Sequence, residues 1–358
     1  MRRGLISRSL TELPDAALEA RVMRLRGAMT AAGLDALVIY TNNTRPAAVS
    51  WLTGFVPYWS EALLVLPTTG APLLVVALTL RVKPWIERTS LVGEVIHTPR
   101  IGSGAAKVIA DAKPNAMVGM VEYDCLPAGI AEDFAEAGPR LVVEDATDLF
   151  AAVRQRADPT EILLAARVAE IASSALAAMP ADSTSAGEVV AAVESAARRA
   201  GAEEIYVAIA PDLARDLRLI RIEGDAALGP VYAVRASVAY KGTWVRCTHT
   251  VSREDHSNER WQTATTAATA CFAAAIAELP DSRALTNFTS YLIEGCRLTQ
   301  PLEPLIGSRL AASTPLAPNA LISVQATIIE NGQPILIGAP ALLGAEGEAA
   351  SVLSRLDM

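Results

Sequence analysis

The chain is poor in the side chains on which most metal and acid–base chemistry is built. Its 358 residues include three histidines, His97, His249 and His256, so few imidazoles are on hand to ligate a metal or act as a general base. Lysine is as scarce, with Lys83, Lys107, Lys113 and Lys241 making the full set, and the net charge is −8. A duplex- or RNA-binding role needs clustered Lys and Arg against phosphate, so nucleic acid is not an expected partner. The four cysteines, Cys125, Cys247, Cys271 and Cys296, show no C-x-x-C spacing, which argues for reduced thiols rather than a disulfide framework or a zinc knuckle. The opening MRRGLISRSLTELPDAALEA has no continuous apolar core, so no secretory signal is expected and the reading is cytoplasmic. The one long uncharged run, the nineteen residues 62–80, is broken by Pro67-Thr68-Thr69-Gly70-Ala71-Pro72. Turn chemistry in the middle of two short apolar runs predicts a buried β-hairpin, not a membrane span.

What is present is enough apolar material for large cores. The hydrophobic fraction is 51% and the mean hydropathy +0.30, and the length suggests two domains. Residues 15–32 carry apolar side chains at helical spacing and stop at Gly33, followed by a strand at 36–40. The hairpin, a helix near 79–87, a strand from about 116, a helix near 128 and a strand at 141–145 complete an α/β pattern. Asp158-Pro159-Thr160-Glu161 has the form of a helix start, with Asp158 as N-cap, Pro159 at N1 and Glu161 at N3. After it come a long Ala-rich helix to about 179 and a helix from Ser185 to Ala200. Strands are expected at 205–210, 231–240 and 242–251, helices near 258–278 and 284–294, and strands at 320–329 and 335–338. The second part therefore reads as two similar α+β halves forming one domain.

Segment 21–55, with its helix ending in Gly-Leu-Asp-Ala, the following strand and Leu52-Thr53-Gly54-Phe55, resembles the opening of the creatinase/aminopeptidase P/prolidase family. Arg154–Ala178 resembles the helix that opens the catalytic domain of the same family. The resemblance implies an α/β N-terminal creatinase-like domain over residues 1–153, an α+β pita-bread domain over 154–358, and a homodimer. It also implies a place for two metal ions, held in most members by two Asp, one His and two Glu. The first two ligands belong to a hairpin that here reads VRASVAYKGTWVRCTHT, residues 234–250. Tyr240, Gly242, Trp244, Thr248 and Thr250 fix the register, and the two aspartate positions then hold Arg235 and Arg246. The histidine position falls on Cys296, in a segment that continues to Leu302-Glu303-Pro304. The fourth ligand position holds Gln325, and the fifth lies near Gly338.

These replacements speak against a dimetal centre, because divalent cations need anionic oxygen or imidazole ligands. A unit-charge pair at about 4 Å repels by on the order of 4 kcal/mol even at an effective dielectric of about 20. The metal-free members of the family are expected to use a histidine just after the strand preceding the hairpin, and residues 207–220 contain none. No metal and no cofactor are therefore expected.

The remaining groups admit two readings each. Arg235 and Arg246, placed opposite one another by a turn at Tyr240-Lys241, either clamp a carboxylate or phosphate or fill a vacated cavity paired to an acid such as Glu223 or Glu303. Cys296 beside two arginines is either a nucleophile of depressed pKa or an inert buried thiol. Strand alternation sends His249 to the face opposite Arg246. It acts as a general base only if it reaches the cleft at the strand end, and is otherwise a partly exposed polar residue. A His249–His256 metal pair is a weak signal. Gly102-Ser103-Gly104-Ala105-Ala106-Lys107 lacks the spacing of a phosphate loop. Two functions follow. One is a metal-independent, hydrolase- or lyase-like enzyme acting on a small anionic or amino-acid-like substrate, with Cys296 and His249 as catalytic groups and Arg235, Arg246, Gln325 and Glu303 binding substrate. The other is a catalytically inactive pseudo-peptidase that binds or scaffolds.

Overall fold

The computed structural model describes residues 9–57, 59–253, 259–279, 282–295, 308–309, 316–345 and 348–354. The described chain divides into two compact units, one ending at Arg154 and the other beginning at Gln155.

The first unit runs α1 (Asp15–Ala31), β1 (Ala36–Asn42), α2 (Ala47–Thr53), β2 (Glu61–Pro67), β3 (Leu73–Val76), α3 (Lys83–Thr89), β4 (Glu94–His97), α4 (Ile101–Ala112), β5 (Met117–Val121), α5 (Ala128–Ala137), β6 (Val142–Asp145) and α6 (Thr147–Gln155). The strands form one six-stranded sheet in the order β4-β3-β2-β1-β5-β6. The uncharged run at 62–80 forms the antiparallel pair β2–β3 inside this sheet, and no described helix is long and apolar enough to cross a membrane. Two buried clusters hold the unit together, one containing Leu25, Leu37 and Phe55 and one containing Val38, Leu63 and Phe134. Adjacent residues of β1 and of β2 thus belong to different clusters, as expected for a sheet covered on both sides. Four elements, α2, β4, α4 and α6, are absent from the sequence pattern. Gly102 lies inside α4, where an added Cβ would stand 2.2 Å from the Ile130 carbonyl oxygen. The glycine there permits close helix contact and does not cradle a phosphate.

The second unit opens with α7 (Pro159–Ala177) and α8 (Ala186–Arg199). The start of α7 is fixed by a reciprocal capping box, Glu161 N donating to Asp158 Oδ1 at 2.9 Å and Asp158 N to Glu161 Oε2 at 3.0 Å, which satisfies two otherwise orphaned donors. There follow β7 (Glu204–Ala210), β8 (Val231–Tyr240), β9 (Thr243–Ser252), α9 (Glu259–Ala277), β10 (Ser290–Gly295), β11 (Ser308–Arg309), β12 (Leu321–Glu330), β13 (Gln333–Leu342) and β14 (Ser351–Val352). They build an eight-stranded sheet in the order β11-β10-β12-β13-β9-β8-β7, with β14 on β13. The halves β7–β9 and β10–β13 meet at the pair Thr248–Gly338.

The second half has a single α-helix among its described residues. The helix expected at 284–294 is instead a short 3₁₀ turn, Ser282–Asn287, followed by β10. Thr289, Tyr291 and Ile293 favour strand, and all six residues of β10 pair with β12, so tertiary pairing overrides an ambiguous short apolar run.

Alternation sorts every central strand of this sheet. Val234, Ala236 and Val238 of β8 and Val245 and Cys247 of β9 pack under α7 and α8. Ile322, Val324 and Ala326 of β12 and Ile335, Ile337 and Ala339 of β13 pack under α9. The intervening residues point to the other face, away from the helices.

Candidate functional site on the face of the second sheet opposite its helices

That other face carries Arg235 and Ser237 from β8, Arg246 and Thr248 from β9, Gly338 from β13, Ser323 and Gln325 from β12 and Glu294 from β10. The β8–β9 hairpin turns at Lys241 and Gly242, both with positive φ (49° and 75°), the geometry of a two-residue primed turn. This turn places Tyr240 opposite Thr243 and sets the register. Arg235 then lies opposite Thr248 and Arg246 opposite Ser237. The two arginines share a face, as expected, but are diagonal neighbours rather than directly opposed, because the turn residues are Lys241-Gly242 and not Tyr240-Lys241.

Arg246 is 1% exposed. Its Nε donates to Ser237 Oγ at 3.2 Å, and its Nη1 donates to Glu294 Oε2 in a buried ion pair. The partner is therefore Glu294 and not the expected Glu223, while Glu303 lies outside the described residues. Glu294 lies opposite Ser323 of β12, three strands from Arg246 in the sheet order. On a flat sheet that is roughly 14 Å, so contact between the two side chains requires the face to curl in on itself. Two guanidinium nitrogens remain buried without a hydrogen-bond partner, Arg246 Nη2 and Arg235 Nε. Burial, and then the neighbouring Arg246, push Arg235 down to about 10, with Glu294 opposing the shift. The Arg235–Arg246–Glu294 cluster thus carries one net positive charge at neutral pH.

Gln325 joins this cluster through a local device. Gly338 sits between Thr248 and Gln325 in the sheet, and an added Cβ there would meet Gln325 Oε1 at 2.1 Å. The missing side chain lets Gln325 lie across β13. Its Oε1 accepts from Thr248 Oγ1 at 2.6 Å and its Nε2 donates to Ser323 Oγ at 2.8 Å.

Arg235, Arg246 and Gln325 are therefore brought to one face. His249 is not: it is buried on the helix side of β9, lining a cavity with residues of α7 and α9. It is neither partly exposed nor near the cleft, since no bulge interrupts the pairing of β8 with β9. Cys296, Glu303 and His256 lie outside the described residues. Cys247 is fully buried, and burial pushes its thiol up to about 12. Sequence reasoning missed Glu294. The available signal was a lone acid in the apolar run Tyr291-Leu292-Ile293, legible only once that run is read as a strand.

The donors among the described residues do not fit a divalent metal pair. Of the positions that the resemblance assigns to ligands, the described ones hold two guanidiniums, an amide and a glycine, and the described carboxylate beside them, Glu294, is engaged with Arg246. Among the described residues no three or more His, Cys, Asp or Glu side chains gather in a way that could hold a metal ion.

Comparison with known proteins bears on the fold. The Creatinase/Prolidase N-terminal domain family matches residues 21–156. No curated protein matches the chain. The prolidase of Pyrococcus horikoshii OT3 superposes with a TM-score of 0.73 at 16% identity, covering 94% of this chain and 99% of the other. The Xaa-Pro dipeptidase of Bacillus anthracis gives 0.71 at 17% identity, covering 94% and 98%. Dipeptidase PepE of Mycobacterium ulcerans gives 0.68 at 20% identity, covering 95% and 96%. Residues 21–156 thus match the creatinase/prolidase N-terminal domain family, and the chain as a whole has the fold of the prolidases, a creatinase-like α/β domain followed by an α+β pita-bread domain.

Proposed function

We propose that the face of the pita-bread sheet turned away from its helices binds a small, amino-acid-like ligand bearing one carboxylate, without a divalent metal, and that the protein acts by binding rather than by peptide hydrolysis. The observation that carries this reading is the pair of buried, unpartnered guanidinium nitrogens, Arg246 Nη2 and Arg235 Nε, in a cluster of net charge +1. A buried cationic N–H without an acceptor is costly, and a carboxylate supplies two acceptor oxygens suited to guanidinium geometry. The ligand class is in keeping with neighbours named as dipeptidases, whose substrates end in a carboxylate.

Hydrolysis lacks support from the described side chains of this face. The Glu294 carboxylate is committed to Arg246 and is a poor general base in that state, and the imidazole of His249 faces the opposite way. The ancestral cation site has in effect been filled by a guanidinium belonging to the chain itself.

The test is thermal stabilisation by N-acetylglycine, with its uncharged amide, N-acetylglycinamide, as control. Stabilisation by the acid alone supports the proposal, and equal or no response to both overturns it. Release of amino acids from dipeptides with added manganese would restore the peptidase reading.

A further inference from the structure

A cavity lies on the opposite side of β9 from the arginine cluster, between α7, α9 and the segment Leu353–Ser354, with a volume of about 800 Å³. That is within the size range of small-molecule sites. It is separated from the arginine cluster by the thickness of the sheet, because His249 faces the cavity and its neighbour Thr248 faces Gln325.

We infer that this cavity is a binding site for a neutral, hydroxyl-rich ring such as a sugar. Three observations carry the assignment. First, the described lining contains no lysine or arginine, and its one carboxylate, Glu170, is ion-paired with Arg167 at 2.6 Å. Among the described lining residues an anion would find no fixed cation beyond the His249 imidazole, and a cation only the already paired Glu170, so a charged ligand would be poorly compensated. Second, the walls set hydroxyl and amide groups among aliphatic ones, with Ser173 and Ser174 from α7, Ser252 from β9, Gln262 from α9 and Ser354. The Ser173 and Ser354 hydroxyls are buried and hydrogen-bond to the Cys247 thiol, a weak partner. A ligand hydroxyl both donates and accepts and can match such walls, whereas an apolar ligand would leave their polar groups unmatched. Third, Trp261 contributes an aromatic surface to the same wall, the complement of the C–H face of a sugar ring.

The experiment is saturation-transfer difference NMR on the full chain with D-glucose as probe, and with glucose 6-phosphate and cyclohexane-methanol as charged and apolar comparators. Transfer to glucose that exceeds transfer to both comparators is expected. Ser173→Leu, which fills the cavity from α7, is expected to abolish it, and Trp261→Ala to weaken it by roughly tenfold. Ser354→Leu approaches from the opposite wall and serves if Ser173→Leu does not fold, as judged by circular dichroism. Absence of transfer to glucose, preference for either comparator, or transfer that survives both leucine variants overturns the inference.

Discussion

The two faces of the pita-bread sheet are made by alternate residues of the same strands, yet they follow different rules. On the helix side Val234, Ala236, Val245, Cys247, Val324 and Ile337 are interchangeable in kind: each is apolar, buried and packed beneath a helix. On the other side most residues are tied to particular partners, Arg246 to Glu294 and Ser237, Gln325 to Thr248 and Ser323, while Arg235 Nε has none. The difference teaches that the scaffold and the site are separable. The apolar face is enough to specify the fold shared with the prolidases. The polar face can change its charge without disturbing that fold, provided the new charges are paired or offered to a ligand.

The comparison breaks most severely at Glu294. Glu294→Ala leaves the Arg246 guanidinium buried with no counter-charge, and a loss of about 3–5 kcal/mol is expected in denaturant unfolding. Comparable truncation on the helix side, Val245→Ala, is expected to lower stability through lost packing alone, with no dependence on salt. Gly338→Ala comes next. Its new Cβ displaces Gln325 from Thr248, costing about 1–3 kcal/mol by overpacking, and the double variant Gly338→Ala/Gln325→Ala is expected to recover part of that loss.

Arg235 gives the smallest effect and the opposite sign. Its pKa is depressed in the folded state, so charged Arg235 disfavours folding at neutral pH, and the cost is relieved as the pH rises through about 10 toward its ordinary value. Arg235→Met is expected to raise stability by about 1 kcal/mol while removing carboxylate binding. For the wild type, carboxylate binding is expected to hold across neutral pH and to fail as Arg235 deprotonates above about 10. A stabilising substitution that destroys binding is the signature of a residue kept for function.

Much of the architecture was legible because it rests on local chemistry. The capping box at Asp158 and Glu161, the turn between Pro67 and Pro72, and the period-two pattern of 231–251 each declare themselves within a few residues. Segment 290–295 did not, since its apolar run suits either a helix or a strand until its pairing with β12 is known. The same holds at the site. Hairpin register followed from sequence to within two residues and put Arg235 and Arg246 on one face. Glu294 could not be found this way, because its contact with Arg246 spans three strands and 48 positions in the chain, and depends on a curl of the sheet that no local pattern encodes.

The most direct measurement of the central claim is calorimetric titration of chelator-treated protein with manganese and, separately, with N-acetylglycine. The account predicts saturable binding of the carboxylate, absent in Arg235→Met, and no stoichiometric uptake of manganese. Uptake of one or two manganese ions per chain, with no response to the carboxylate, would contradict it.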